Sequence, residues 1–207
     1  MTDQIQSLRD DLDYMKALAR EGRQAPILGG ALLAVAGVDF AAASFVQYAA
    51  IKGLIGVTPG MASLSWLAAM GVFVVALIIT KRRSAGRPGA AAVTNRAVQA
   101  VWMGSGWAIF AVFLAIIAMS YRTGSAEPTI FIAPFILAVY GISWTVAAVM
   151  SRKAWIWAVA LGCYAGTVLM GVLAGSAEQM LAYGVALLLL AAAPGLVLMR
   201  GEPSDVV

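Results

Sequence analysis

Residues 27–49 read ILGGALLAVAGVDFAAASFVQYA, and Asp39 is the only charged side chain in this run. A run of about 20 apolar residues is long enough for an α-helix to cross the roughly 30 Å of hydrocarbon in a bilayer. The strands of a transmembrane barrel alternate apolar and polar residues instead, whereas this run is continuously apolar and rich in Ala, Leu and Gly. The stretch therefore predicts a transmembrane helix.

Five further apolar runs follow the first one. They lie at 61–80, 97–120, 129–150, 154–174 and 180–199. A chain of 207 residues that is 62% hydrophobic and 12% charged has more apolar surface than one soluble core can bury. The sequence therefore predicts an all-α polytopic membrane protein. Residues 26–200 are expected to form a bundle of six transmembrane helices, residues 1–25 a cytoplasmic amphipathic helix and hinge, and residues 201–207 a cytoplasmic tail.

The basic residues predict how the chain is threaded. Lys and Arg accumulate in short loops on the cytoplasmic side of a membrane. If all six runs span, 12 of the 14 basic residues share the side that carries both termini, and only Lys52 and Arg122 fall on the other. Both termini are therefore expected in the cytoplasm. The net charge of +4 mostly reflects this bias, so we expect no nucleic-acid partner.

The longest inner connection is KRRSAGRPGAAAVTNR at 81–96, which contains five of the basic residues. Such a cluster sets membrane topology, and clusters of this size also bind anionic lipid headgroups. Thr94 or Asn95 is expected to cap the third span.

The composition excludes several kinds of chemistry. The chain has no histidine and a single cysteine, Cys163. Disulfides within the chain, histidine-ligated haem or metal sites and Ser-His-Asp or Cys-His catalysis are therefore excluded. The outer loops offer only Glu127 and Glu178 as acids, and the inner loops are almost purely basic. We expect neither enzymatic activity nor a bound cofactor or metal.

Asp39 is the most informative single residue, because a charged group at mid-bilayer is costly by about 2.5 to 3.5 kcal/mol on insertion scales. At 100° per residue it points away from a stripe of small residues on its own helix. That stripe is Gly30, Ala34, Gly37, Ala41 and Ser44. If the stripe packs on protein, the first span must be contacted on two sides. No Lys, Arg or His lies within another span, so we expect a neutral Asp39 that donates a hydrogen bond.

Depth along each span identifies acceptors for Asp39. Counting about 1.5 Å per residue places Tyr140 and Tyr164 at the same mid-membrane level, with Ser143 within one turn of it. Asp39, Tyr140, Tyr164 and Ser143 thus form a candidate polar or proton site. Three interpretations stay open: a structural hydrogen bond between helices, a proton-coupled or cation-binding site, and a polar cavity for another ligand.

Small residues and prolines predict packing and irregularity in other spans. The third span repeats the small-residue pattern, and the fifth has Gly162 and Gly166 four residues apart. The stripe of the third span is Gly104, Ala108, Ala111, Ala115 and Ala118. We expect these faces to be buried, and we expect kinks at Pro134 and Pro194.

The N-terminal segment has helical periodicity. Ile5, Leu8, Leu12 and Met15 recur at spacings of three and four residues, within residues 3–21. A helix that lies on an anionic membrane carries a basic polar face, but the five acids of this segment oppose only four basic residues over the longer stretch that extends to Arg23. Contact with protein is therefore favoured. The helix docks either on the inner loops of its own chain or on a second copy or a cytoplasmic partner.

The run MKALAREGRQAPILGG, residues 15–30, joins this helix to the first span. Over about the first 40 residues the chain resembles a group of small uncharacterised bacterial inner-membrane proteins of unknown function. The resemblance implies the architecture and a place in the bacterial inner membrane, and it implies no activity.

Three classes of function follow from these features. The first is a non-enzymatic membrane scaffold or regulatory partner that uses the helix at residues 3–21. The second is a small proton- or cation-coupled transporter or channel that uses Asp39. An enzyme comes last, because catalytic groups are scarce in the loops. Membrane lipid is the one partner that the composition itself requires.

Overall fold

The computed structural model describes residues 27–84 and 92–202, and it confirms the all-α fold with six helical segments long and apolar enough to span a membrane. The first three spans are α1 (Gly30–Ile51), α2 (Pro59–Ala62) with α3 (Leu64–Ser84), and α4 (Val93–Thr123). A 3₁₀ turn (Glu127–Phe131) leads into α5 (Ile132–Ser151), and α6 is Ala154–Val172. The last span consists of α7 (Ala177–Leu187), a π-helical turn (Leu188–Ala192) and α8 (Ala193–Arg200).

The bundle has two ends, the terminal face and the far face. The terminal face contains the start of the first span, the end of the last span and the α5–α6 connection at residues 152–153. The far face contains the connections at 52–58, 124–126 and 173–176. Lys52 and Arg122 are the far-face basic residues among those described. The other described basic residues lie at the terminal face, because successive spans run in opposite directions.

α1 lies at the centre of one half of the bundle, between α3 on one side and the last span on the other. Its small-residue stripe is buried as predicted. A Cβ atom at Gly30 would lie 2.6 Å from the carbonyl oxygen of Gly195, and one at Gly37 would overlap the backbone of Ala192. The two backbones therefore approach closely because neither helix carries a large side chain at the crossing.

The other half is built on α5 and α6, which pack along their length. Trp144, Ile156 and Cys163 are fully buried in this core. The predicted small positions of α6 also pack, because a Cβ atom at Gly162 would lie 2.7 Å from Cδ2 of Leu190. A second core joins the halves through Leu137, Met170 and Leu187.

The spans formed by α2–α3 and by α4 are peripheral. In each, only 11% of the most hydrophobic 18-residue window is buried, against 44% in the last span. The expectation that the α4 stripe is buried is wrong: Gly104, Ala111, Ala115 and Ala118 are exposed and Ala108 is half-buried. α4 instead turns Val98, Ser105 and Ile116 inward. In an Ala-rich helix, small residues recur at helical spacing on lipid-facing sides as well.

The two prolines differ in their effect. Pro134 lies in the first turn of α5, where an N–H group has no partner within the helix, so the expected kink is not required there. Pro194 lies two residues beyond the end of the π-helical turn, so the last span is irregular next to this proline.

Candidate functional site

Asp39 lies at the boundary between the buried and exposed sides of α1. Ala36 and Ala43 are buried on one side of it, and Val35 and Val46 are exposed on the other. The residue is half-buried, and its Oδ2 atom is buried without a hydrogen-bond partner. The protein therefore shields one carboxyl oxygen, but the expected hydrogen bond is absent from the part of the chain that the structure describes. Its neighbours one helical turn away on α1 are alanine and valine, which have no polar side-chain atoms.

Ser143 takes part in a different polar contact. Its Oγ atom lies 2.7 Å from Oγ of Ser105, and it donates to the carbonyl oxygen of Val139 at 3.0 Å. Because a hydroxyl group has one proton, Ser105 is the donor in the pair. The two serines join α4 to α5 inside the bundle, and both are buried.

Tyr164 belongs to a second separate contact. Thr145 Oγ1 donates to the carbonyl oxygen of Gly141 at 2.8 Å, so the hydroxyl of Tyr164 donates to Thr145 Oγ1 at 3.1 Å. The ring occupies the space that a side chain at Gly141 would fill. This contact joins α5 to α6 at a partly exposed position. Thr145 is not among the predicted site residues.

Tyr140 packs against the aromatic ring of Trp102 and forms no hydrogen bond with Asp39. Its ring meets that of Trp102 edge-on with centroids 5.1 Å apart, and Trp102 meets Trp144 in the same way at 5.5 Å. Within residues 27–84 and 92–202, Asp39 forms no hydrogen bond with Tyr140, Tyr164 or Ser143. The predicted group is therefore divided among three places: Asp39 on α1, Tyr140 and Ser143 at the contact of α5 with α4, and Tyr164 at the contact of α6 with α5.

The terminal face holds a polar arrangement that the sequence does not reveal. The N–H of Leu28 donates to Oδ1 of Asn95 at 3.2 Å. The N–H groups of Gly29 and Gly30 donate to Oε1 of Glu202 at 2.9 and 2.8 Å. The expectation that Thr94 or Asn95 caps the third span is wrong, because the N-cap residue of α4 is Ala92 and no side chain forms a cap hydrogen bond there. A carboxylate at the N-terminus of α1 also interacts favourably with the helix dipole.

The far face is held by two more contacts. Lys52 Nζ and Glu178 Oε1 lie 2.5 Å apart and are solvent-exposed. The hydrogen bond and the charge of Glu178 raise the pKa of Lys52 above its ordinary value. Nearby, the buried Gln179 donates from Nε2 to the carbonyl oxygens of Ile130 and Met170 at 3.0 and 3.1 Å. These contacts connect the far-face ends of the first, fourth, fifth and sixth spans.

Two predicted features fall outside the described residues. The N-terminal helix with Ile5, Leu8, Leu12 and Met15 precedes residue 27, and residues 85–91 of the basic loop lie between the two described ranges. Within the described ranges, no cluster of three or more His, Cys, Asp and Glu residues could hold a metal ion.

Comparisons with protein families, curated proteins and solved structures found no match to this chain. Its function must therefore be argued from its own residues.

Proposed function

We propose that the chain is a non-enzymatic integral membrane protein that acts as a scaffold or regulatory partner through its helix at residues 3–21. It resides in the bacterial inner membrane with both termini in the cytoplasm. The basic residues of the terminal face support this orientation, because Lys and Arg accumulate on the cytoplasmic side.

The observation that carries the proposal is the anchoring of residues 28–30. This segment directly follows the N-terminal hinge, and side chains from two distant places, Asn95 and Glu202, bind its N–H groups. A partner bound to residues 3–21 would therefore be connected to a segment of the membrane domain that hydrogen bonds hold in place. The beginnings of the first and third spans and the end of the last would all be connected to it.

The test places two acidic residues on the apolar stripe of the helix. Leu8→Glu with Leu12→Glu should remove proteins cross-linked to the full-length chain in its native membrane, as detected by mass spectrometry. Gln6→Glu with Ala17→Glu adds the same charge on the opposite side of the helix, so it is the matched control. A cross-linked second copy or cytoplasmic protein lost only in the first variant supports the proposal. Cross-links retained in both variants contradict it.

A proton- or cation-coupled transporter or channel is the second candidate function. It is favoured by the buried Oδ2 atom of Asp39, which has no hydrogen-bond partner in the described residues. Acids within the membrane often belong to ion pathways. Purified protein in sealed vesicles would then carry a proton or cation flux that Asp39→Asn abolishes. Equal flux in empty vesicles, wild type and variant would exclude this function.

A further inference from the structure

A lipid-facing groove lies between α4, the 3₁₀ turn and α5, with Thr167 of α6 also in its lining, towards the far face. Its volume is about 450 Å³, within the roughly 300–1,000 Å³ of ligand pockets. Val112, Ala115 and Met119 line it from α4, and Phe131 and Phe135 from the other side. Thr167 is its one polar lining residue, and that hydroxyl donates to the carbonyl of Cys163 at 3.0 Å. The groove therefore suits a hydrocarbon chain.

The orientation of the groove fits a chain that enters from the bilayer. From Val112 to Met119 it follows α4 for about 10 Å at 1.5 Å per residue. All of this length lies within a membrane span. The acyl chains of the surrounding lipid are thus the hydrocarbon in direct contact with it.

Two opposite charges lie next to the mouth of the groove. Arg122 follows Met119 by three residues and Ala115 by seven, so it shares their side of α4 and lies nearer the far face. Glu127 directly precedes Pro128, which lines the groove. Both are exposed, and neither forms an ion pair with another described residue. The other far-face cation, Lys52, is already paired with Glu178.

We infer that this groove binds one acyl chain of a zwitterionic phospholipid with a primary amine in its headgroup. Arg122 binds the phosphate, and Glu127 accepts hydrogen bonds from the ammonium group. A headgroup with a net negative charge would be repelled by Glu127. A quaternary ammonium has no N–H donor, so it would bind less well than a primary one. This inference does not depend on the proposed partner of the N-terminal helix.

The first experiment measures lipid retention by native mass spectrometry of the full-length protein. Phosphatidylethanolamine, phosphatidylcholine and phosphatidylglycerol with identical acyl chains compete at equal concentration. Phosphatidylethanolamine should be retained over both others, and Arg122→Gln and Glu127→Gln should each reduce its excess by about threefold, as for an exposed ion pair. Equal retention of the three lipids, or a preference for phosphatidylglycerol, would overturn the inference.

A second pair of variants tests the groove itself. Ala115→Trp fills it, and Ala111→Trp places the same ring on an exposed part of α4 that does not line it. Only Ala115→Trp should abolish the excess of retained phosphatidylethanolamine. Both positions are exposed, so melting temperatures close to that of the wild type are expected and would show that the fold is intact. An unchanged excess in Ala115→Trp would mean that the chain binds elsewhere.

Discussion

The indole N–H of Trp144 donates a 3.0 Å hydrogen bond to the carbonyl oxygen of Leu190. In a continuous α-helix this oxygen would accept from the N–H of residue 194, which is Pro194 and has none. The π-helical turn Leu188–Ala192 lies at the same place. A side chain of α5 thus satisfies a backbone group that the last span leaves without its α-helical donor, as hydrocarbon surroundings require.

Trp144→Phe should destabilise the protein by about 1–3 kcal/mol beyond the loss of ring volume, because it leaves the Leu190 carbonyl buried without this donor. The free energy of unfolding can be measured in mixed micelles by titration with a denaturing detergent. Pro194→Ala restores an N–H group at the position that would pair with Leu190. The penalty of Trp144→Phe should therefore be smaller in the Pro194→Ala background, and an equal penalty in both backgrounds would contradict this explanation.

Gly37→Ala should destabilise the protein by about 1–3 kcal/mol, because its Cβ atom would overlap the backbone of Ala192 and force the two spans apart. Gly104→Ala is the matched control, since a Cβ atom there meets nothing within 4 Å. The control should leave the melting temperature unchanged or raise it, because alanine favours the helix. Equal effects of the two substitutions would show that the close crossing of the spans does not limit stability.

The spans could be predicted from the sequence because hydrophobic length is a local property of the chain. The packing of their faces was predictable only in part. Small residues on α1 mark its contact with the last span, but an equally regular stripe on α4 is exposed. Such a stripe shows where a backbone could approach and does not show whether lipid or protein occupies that side.

The polar contacts were harder to predict, for a geometric reason. Counting residues gives the depth of Asp39, Tyr140 and Tyr164, but depth does not tell which way each helix is rotated. The three side chains therefore lie near the middle of their helices without a hydrogen bond from Asp39 to either tyrosine. The contacts of Gly29 and Gly30 with Glu202 join residues more than 170 positions apart, and no local pattern indicates such a pair.

Two serine substitutions should differ in their effect on stability. Ser44 is fully buried and donates to the carbonyl oxygen of Met180 at 2.7 Å, so Ser44→Ala should cost about 0.6 kcal/mol. Ser120 Oγ is buried with no hydrogen-bond partner among the described residues, so Ser120→Ala should be neutral or stabilising. The same unfolding titration measures both. A clear loss of stability in Ser120→Ala would show that this hydroxyl has a partner.

The Lys52–Glu178 pair should make stability depend on pH above the ordinary lysine pKa of 10.5. Because the pKa of Lys52 is raised in the folded protein, its contribution is complete below the ordinary value of 10.5 and is lost as the pH rises through the folded value. Lys52→Gln should therefore lower the melting temperature slightly at pH 8, and this difference should vanish at higher pH or high salt. Lys153→Gln removes an exposed lysine that forms no ion pair with another described residue, so it is the matched control for the loss of a positive charge.

Asp39→Leu should stabilise the protein by about 1–3 kcal/mol, because it removes a polar group that is partly buried without a hydrogen bond in the described residues. Asp39→Asn keeps a polar group of the same size in the same place, so it should change stability much less. Both are measured by unfolding in mixed micelles at neutral pH.

An Asp39→Leu protein that unfolds more easily than wild type would mean that the carboxyl group has a stabilising polar contact. Stabilisation by leucine without loss of growth or membrane function would remove the reason to assign Asp39 an ion pathway. If the leucine variant is more stable but inactive, the acid is retained at a cost in stability, as is typical of functional polar groups in membrane interiors. The sign of one free-energy difference, combined with an activity measurement, therefore separates a structural from a functional role for Asp39.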